Sequence, residues 1–437
     1  MSGKIENPRF DTVRIHSGYD QTQHQDAAST PIYQSAAFDL ETPERADTIV
    51  SYQKAAYTYT RVNNPTVDVL EQRIAALDGG SAALAFASGS AAVFSTLLLL
   101  GEGGGNIVAT PSLYGAIQEG FVHFLPKFGI EVRFVDSVND FKDYERLIDD
   151  GTKAVYVESL SNPTLDIPDL EAISRVAHAQ GVPVLVDNTV PTPYLFHPFE
   201  HGADIILYSA TKGLSGHGNT VAGLVVESGR FDYDVKRFPQ LHEQWWKDRD
   251  LNGNARSAYD IFPQAPITFA LRVYYLWFFG AKLSPFDAYL VLLGLDTLSE
   301  RIDKESESAK QVAEYLRDNP HVRSVNYPNA TDRSYATLAA KYFPRGLGYL
   351  LSFEFDGTAE QQDDFVKTLN IFQYEANLGD VRSLIVFPTR VTHAELEPKY
   401  LQGAGIDRNL VRVSIGLEDP QDLIDDLDQA FHTVFRD

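Results

Sequence analysis

The sequence predicts an α/β fold with a mostly parallel central sheet, followed by a smaller α+β domain at the C-terminus. Two observations carry this. Short runs of consecutive apolar residues, the mark of strands covered on both faces, recur at 106–109, 131–135, 154–157, 183–186 and 205–208, with helical or loop segments between them. Beyond residue 290 the pattern changes to a long helical stretch at 290–316. Alternating strands then follow at 349–355, 371–374 and 410–414, with helices at 360–369 and 420–434. A chain of 437 residues exceeds the size at which one core keeps growing, so several domains are expected. The predicted division is an arm over 1–63, a large domain over 64–285 and a small domain over 286–437.

Each element has its own signal. Residues 1–63 show little helical periodicity but many turn formers and aromatics, among them Tyr33, Phe38, Tyr52, Tyr57 and Tyr59. An arm of that kind must lie on another surface, either its own body or a second subunit. From Pro65, the spacing of Val67, Leu70, Ile74 and Leu77 predicts an amphipathic helix ended by Gly79 and Gly80. Residues 84–87 read as a strand, Ser88, Gly89 and Ser90 as a tight turn, and 91–100 as a strongly apolar helix. Such a junction aims backbone N–H groups and a helix dipole at one point, which suits a phosphate; it also suits a plain strand-to-helix connection. Beyond 223–226, the aromatic-rich stretch 231–280 is predicted to cover the first domain. Its most apolar window, 267–281, is interrupted by Arg272 and falls short of the ~20 residues that span a bilayer. It reads as a buried or partner-facing helix.

Composition narrows the function. A formal net charge of -23 argues against a nucleic-acid partner, which needs clustered Lys and Arg. The absence of cysteine removes thiol nucleophiles and zinc–thiolate sites, and no metal site is read. Residues 1–10 lack the apolar core of a secretory signal, so a cytoplasmic enzyme with no membrane association is expected.

Open α/β sheets bind ligands beyond the carboxyl ends of their strands, and those ends are rich in chemistry here. Asp187, Asn188 and Thr189 follow one strand; Glu158, Ser159, Asn162 and Pro163 follow another. Ser209, Thr211 and Lys212 follow a third, before Gly213, Gly216 and Gly218 break the chain, and Tyr114 and Gly115 lie in the turn after Thr110. A lysine at such an edge is usually solvated. If buried, its pKa falls and it becomes a nucleophile toward an aldehyde. A lysine, an acid on a neighbouring strand, a phosphate-binding turn and an aromatic ring together are what pyridoxal phosphate requires. Lys212 would meet the aldehyde and Asp187 would keep the ring nitrogen protonated. Gly89, Ser90, Ser209 and Thr211 would hold the phosphate, Tyr114 would stack on the ring, and Asn162 would donate to the phenolate oxygen.

These residues occur within longer motifs: Tyr57, Thr58, Tyr59, Thr60 and Arg61 with Asn64, Pro65 and Thr66; then 87–91, 186–189, 209–218 and 411–418. On them the chain resembles the fold-type I, pyridoxal-phosphate-dependent enzymes of cysteine and methionine metabolism, from about Thr12 to the end. The resemblance implies the PLP-dependent transferase fold and a set of roles. Lys212 is implied as the Schiff-base lysine and proton carrier, Asp187 as the pyridinium partner and Tyr114 as the stacking, catalytic tyrosine. Ser88, Gly89, Ser90, Ser209 and Thr211 correspond to the phosphate cup, and Asn162 and Thr189 complete the cofactor set. Tyr59 and Arg61 are implied to reach the phosphate of a neighbouring subunit, which makes a dimer the minimum and a tetramer the expected assembly. Arg412 is implied to bind the substrate α-carboxylate bidentately, with a backbone contact from Ser383.

The extra length between Arg230 and Gly280 resembles that of sulfhydrylases acting on O-acetylhomoserine, as do the runs 216–220, 283–286 and 294–298. That implies γ-replacement on O-acetyl-L-homoserine: acetate leaves and sulfide or a thiol adds, giving homocysteine or methionine. Two other readings stand beside it, a γ-lyase acting on cystathionine, homocysteine or methionine, and a non-catalytic pyridoxal-phosphate-binding protein. Ala116, where a cysteine would favour a methionine γ-lyase, weighs against that lyase; Phe387 and Arg390 depart from the family pattern in the expected side-chain pocket. His217, Asp136, Glu158, Trp245 and Trp246 are read as packing residues.

Overall fold

Seven strands form the first sheet of the computed structural model, which describes residues 7–327 and 333–436. They are β1 (Ala82–Phe86), β2 (Gly105–Ala109), β3 (Ile130–Phe134), β4 (Thr152–Glu158), β5 (Val184–Asp187), β6 (Ile205–Ser209) and β7 (Gly223–Glu227), in the order β1-β7-β6-β5-β4-β2-β3. Neighbours from β6 through β3 run parallel; β7 lies antiparallel between β1 and β6. Strand alternation explains the unbroken apolar runs. Ile205 and Leu207 of β6 enter the core on one face of the sheet, Ile206 and Tyr208 the core on the other, and none of the four is more than 1% exposed.

The flanking helices start and stop where their ends dictate. Pro65–Asp78 begins with the Asn64 side chain accepting from the Thr66 N–H at 3.0 Å and ends at Gly79, whose φ of 69° is the left-handed region that glycine tolerates. Gly89–Leu100 begins with Ser88, whose hydroxyl accepts from the Ala91 N–H at 3.1 Å.

The second sheet comprises β8 (Val322–Asn326), β9 (Leu350–Phe355), β10 (Gln373–Tyr374), β11 (Leu384–Val386) and β12 (Leu410–Ser414) in the order β10-β11-β12-β9-β8, antiparallel except between β10 and β11. Helices Leu298–Asp318, Ala359–Thr368 and Pro420–Phe435 accompany it. One continuous apolar core joins Ile206 and Tyr208 of the first sheet to Phe353 and Phe431 of this region.

The single helical stretch expected at 290–316 is two helices, Pro285–Leu295 and Leu298–Asp318. Partners distant in sequence fix the break. Arg73 pairs with the Asp296 carboxylate at 3.0 Å, Arg14 donates to the Asp296 carbonyl, and Arg301 donates to the Gly294 carbonyl at 2.8 Å. The arm is irregular apart from short helical pieces such as Phe10–His16 and Pro43–Val50, and its residues 1–6 lie outside those described. The segment after β7 is a series of short helical turns. No described helix is long and apolar enough to cross a membrane.

Behind β6 the Tyr208 hydroxyl donates to Asp78 Oδ1 at 2.8 Å and accepts from Asn188 Nδ2 at 3.1 Å. Burial pushes the Asp78 carboxyl up to about 8, opposed only by that hydrogen bond. A carboxyl raised on folding takes up a proton in the native state, so it costs stability as pH rises from its ordinary value toward 8. Asp78→Asn is therefore expected to gain stability over the parent as pH rises from 5 to 8, by at most about 1.4 kcal/mol per pH unit. Denaturant melts across that range check this; a difference that does not vary with pH would refute it.

Candidate active site

A cavity of about 280 Å³ lies beyond the carboxyl ends of β4, β5 and β6, between the N-terminus of helix Gly89–Leu100 and residues of the second sheet. The strand register brings its acids and lysine together: Glu158 of β4 is paired with Asp187 of β5, and Asp187 with Leu207 of β6. Ser88, Gly89, Ser90, Tyr114, Asn162, Asp187, Thr189, Ser209, Thr211, Lys212 and Arg412 all line it. Val93, Ile117, Leu160, Val190 and Leu378 supply apolar wall between them.

Lys212 follows β6 by three residues in a tight turn, its N–H donating to the Ser209 carbonyl at 3.1 Å and its carbonyl accepting from the Gly216 N–H at 2.8 Å. Its Nζ donates to Asn377 Oδ1 at 2.6 Å. Burial, and secondarily the positive charge of Arg412, push the amine down to about 8. Roughly a tenth of the amine is then neutral at pH 7, far more than for a solvated lysine, and the neutral form is the one nucleophilic attack requires.

Asp187 accepts from the Thr189 N–H at 3.0 Å and from the Tyr156 hydroxyl at 3.2 Å. Burial raises its carboxyl above the ordinary range. A carboxylate in this position gains from a cationic neighbour. Glu158 is also raised, by burial first and then by Asp187, and accepts from the Tyr114 N–H at 2.7 Å and the Asn162 N–H at 3.0 Å.

The turn at Ser88 packs too tightly for side chains. A Cβ on Gly89 would stand 2.8 Å from that of Ser209, and one on Gly223 would stand 2.0 Å from the Ser88 carbonyl oxygen. Gly89 and Ser90, in the first turn of the helix, line the cavity together with Ser209 and Thr211, and the unpaired N–H groups of a helix N-terminus suit an anion there. Thr189 reinforces it by accepting from the Ser209 N–H at 2.8 Å.

Arg412 enters from β12 and is 2% exposed. Its guanidinium donates to the Asn377 carbonyl at 2.6 Å and to Asn162 Oδ1 at 3.4 Å, while its buried Nε has no hydrogen-bond partner among the described residues. Burial lowers it to about 10, so it stays cationic at neutral pH. A buried cation with an unmet donor is suited to a carboxylate.

Three expected residues lie outside this cavity. Ser383 is fully buried, with its N–H and hydroxyl both donating to Glu418 at 2.8 Å, so its backbone donor is already used. Tyr59 and Arg61 are on the arm and do not line the cavity of their own chain. Phe387 and Arg390 are also outside it: Phe387 is buried, and Arg390 lies over its ring and pairs with Asp363 at the surface. Conversely, Asn377, which links Lys212 to Arg412, was not singled out by sequence; it sits in a loop with no periodic or motif signal. Glu158, read as packing, lines the cavity and holds Tyr114 and Asn162 in place.

The family described as Cys/Met metabolism PLP-dependent enzyme matches residues 11–432. The chain belongs to this family. It is 38% identical over 98% of both chains to an O-acetyl-L-homoserine sulfhydrylase of Leptospira meyeri. It is 38% identical to a homocysteine synthase of Schizosaccharomyces pombe, over 98% of this chain and 100% of the relative. A crystal structure of a candidate O-acetylhomoserine (thiol)-lyase from Campylobacter jejuni, which carries a pyridoxyl-lysine phosphate, matches with a TM-score of 0.91 at 36% identity over 97% of this chain and 100% of that one. The family's cofactor is pyridoxal phosphate, and this site fits it: a buried amine, a buried acid suited to a protonated ring nitrogen, and a glycine cradle at a helix N-terminus.

Arg412→Lys keeps the charge but loses the planar fork. It is expected to raise KM for the amino-acid substrate by about tenfold to a hundredfold, with smaller change in cofactor affinity. Steady-state kinetics and cofactor titration of the same variant check this; an unchanged KM would remove Arg412 from substrate binding.

Proposed function

We propose that this enzyme catalyses γ-replacement on O-acetyl-L-homoserine, exchanging acetate for sulfide or a thiol to give homocysteine or methionine. The observation that carries the reading is the convergence of the Lys212 amine and the Arg412 guanidinium, both buried, on one cavity through Asn377. The relatives bearing O-acetylhomoserine sulfhydrylase and homocysteine synthase names match over nearly their full lengths and support the choice of substrate.

Bound pyridoxal phosphate supplies an aldehyde that captures amino groups and a ring that accepts electrons from a carbanion. The chain's residues do the rest. Arg412 would hold the substrate carboxylate and so fix the amino acid's orientation in the cavity. Lys212, its amine pushed down to about 8, takes the proton from the α-carbon and then one from the β-carbon, so that acetate can leave from the γ-carbon; once sulfide or a thiol has added there, the protons are returned to the β- and α-carbons. Asp187 keeps the ring nitrogen's proton in place, and Tyr156 keeps Asp187 oriented. Tyr114 lines the cavity where it would stack on the ring, and the apolar wall limits water, which would otherwise compete with sulfide.

In the same reading the arm over 1–63 completes a neighbouring subunit's site. Tyr59, 45% exposed, and Arg61 then belong to the partner's phosphate cup. The assembly is a dimer at minimum and a tetramer in full, with the large domain over 64–285 and the small domain over 286–437 each contributing to one cavity. Its setting is cytoplasmic, in keeping with small soluble substrates.

Purified enzyme given O-acetyl-L-homoserine and sulfide should form homocysteine. Formation of 2-oxobutyrate without added thiol, and no homocysteine with it, would assign elimination instead. Mixing Arg61→Ala chains with Lys212→Ala chains should restore activity lost in each alone, because one mixed site then has both residues intact. Well-folded chains that exchange subunits without regaining activity would refute the shared site.

A further inference from the structure

The segment after β7 was left without a role by the site, yet its polar residues converge on the arm. Asp248 is fully buried. Its Oδ1 accepts from the Tyr52 hydroxyl at 2.9 Å and from Lys247 Nζ at 2.8 Å, and its Oδ2 accepts from the Tyr274 hydroxyl at 2.9 Å. Arg256 bridges the same two regions, donating to the Asp248 carbonyl at 3.1 Å and to the Ser51 carbonyl at 2.7 Å. The Tyr52 ring meets Phe269 edge-on at 5.1 Å. The arm is therefore fastened at 51–52.

A second tie lies just past the Tyr59–Arg61 pair. Arg272, the charge that interrupts the apolar window, donates to the Val62 carbonyl at 2.8 Å and to Glu71 Oε2 at 2.6 Å. Glu71 in turn accepts from the Ala85 N–H of β1 at 2.9 Å, so the loop is tied to the sheet that carries the cavity. Between the ties, the Arg61 guanidinium lies 5.2 Å from the Tyr59 ring and 5.7 Å from the Trp277 ring, a cation held by two aromatic faces. Its Nε is buried with no hydrogen-bond partner among the described residues. An arginine ordered by its neighbours, with donor capacity unspent, is pre-organised for an anion.

We propose that Asp248, with Arg256, Arg272 and Trp277, is a brace that holds the Tyr59–Arg61 loop in position to bind the cofactor phosphate in a second copy of the chain. This rests on the reading that Arg61 serves the neighbouring phosphate cup. Asp248 is thus a positioning residue: it touches neither cofactor nor substrate and acts through the arm. Phosphate-dependent affinity is what such a brace controls, since loosening it returns to the loop the freedom that binding must then remove.

The test compares two probes, pyridoxal phosphate and pyridoxal, which lacks the phosphate, by equilibrium dialysis against cofactor-stripped full-length enzyme. Asp248→Ala and Arg61→Ala are each expected to weaken pyridoxal phosphate by about tenfold or more while leaving pyridoxal within about twofold, and the double variant to be no worse than Arg61→Ala alone. If Arg61→Ala weakens pyridoxal phosphate and Asp248→Ala does not, the brace is refuted and the phosphate reading stands. If Arg61→Ala itself has no effect, the phosphate reading fails and the brace falls with it. Equal weakening of both probes by Asp248→Ala marks general damage and also overturns the proposal. Should Asp248→Ala not fold, Tyr52→Phe removes one hydroxyl from the same carboxylate and must give the same phosphate-selective loss, about threefold.

Discussion

An amine stripped of water at the end of a buried strand is the constraint on which the rest of the structure depends. An ammonium ion in that position is costly, so Lys212 moves toward its neutral form, and each neighbour has to be compatible with that. Asn377 offers a neutral acceptor instead of a carboxylate, and Arg412 adds a second positive charge to the same cavity. Both would be poor choices for stabilising a surface lysine and are good ones for keeping a nucleophile ready. The two buried acids, Asp187 and Glu158, divide their work: Asp187, oriented by Thr189 and Tyr156, faces the cavity, while Glu158 is spent on the backbone of Tyr114 and Asn162.

The sheet makes this arrangement possible. Parallel strands with both faces covered leave only their ends for polar chemistry: the register sets Glu158 beside Asp187 and Asp187 beside Leu207, and the turn after β6 brings Lys212 to the same cavity. The second sheet then closes the cavity with Arg412, and a single apolar core ties it to the first. The arm and the segment after β7 are joined by polar ties between distant stretches, in which Asp248 occupies a position that burial would otherwise reserve for an apolar side chain and the half-buried Arg272 carries the tie on to Glu71.

Legibility in the sequence followed the range of the interaction concerned. Lys212, Asp187 and the Ser88–Gly89–Ser90 turn were readable because each ends or follows an apolar run whose burial is local in origin. Arg412 required its longer motif. Asn377 was invisible because its role exists only where the loop after β10 folds over β6. Ser383 was misjudged for the converse reason: it is near in sequence, but Glu418 takes its N–H. The break at Asp296 depends on Arg14 and Arg73, more than two hundred residues away, and periodicity carries no trace of it. β8 was missed because its middle residues are exposed and do not alternate in the expected way; β11 is only three residues long.

The central claim, that the lysine at the end of β6 is the covalent anchor of the cofactor, has a direct measurement. Borohydride reduction of the cofactor-loaded enzyme turns a lysine–aldehyde linkage into a stable secondary amine, and mass mapping of the digest then locates the pyridoxyl group. The label is expected on the peptide carrying Lys212, at about one per chain. A label on any other lysine, with Lys212 unmodified, would contradict it.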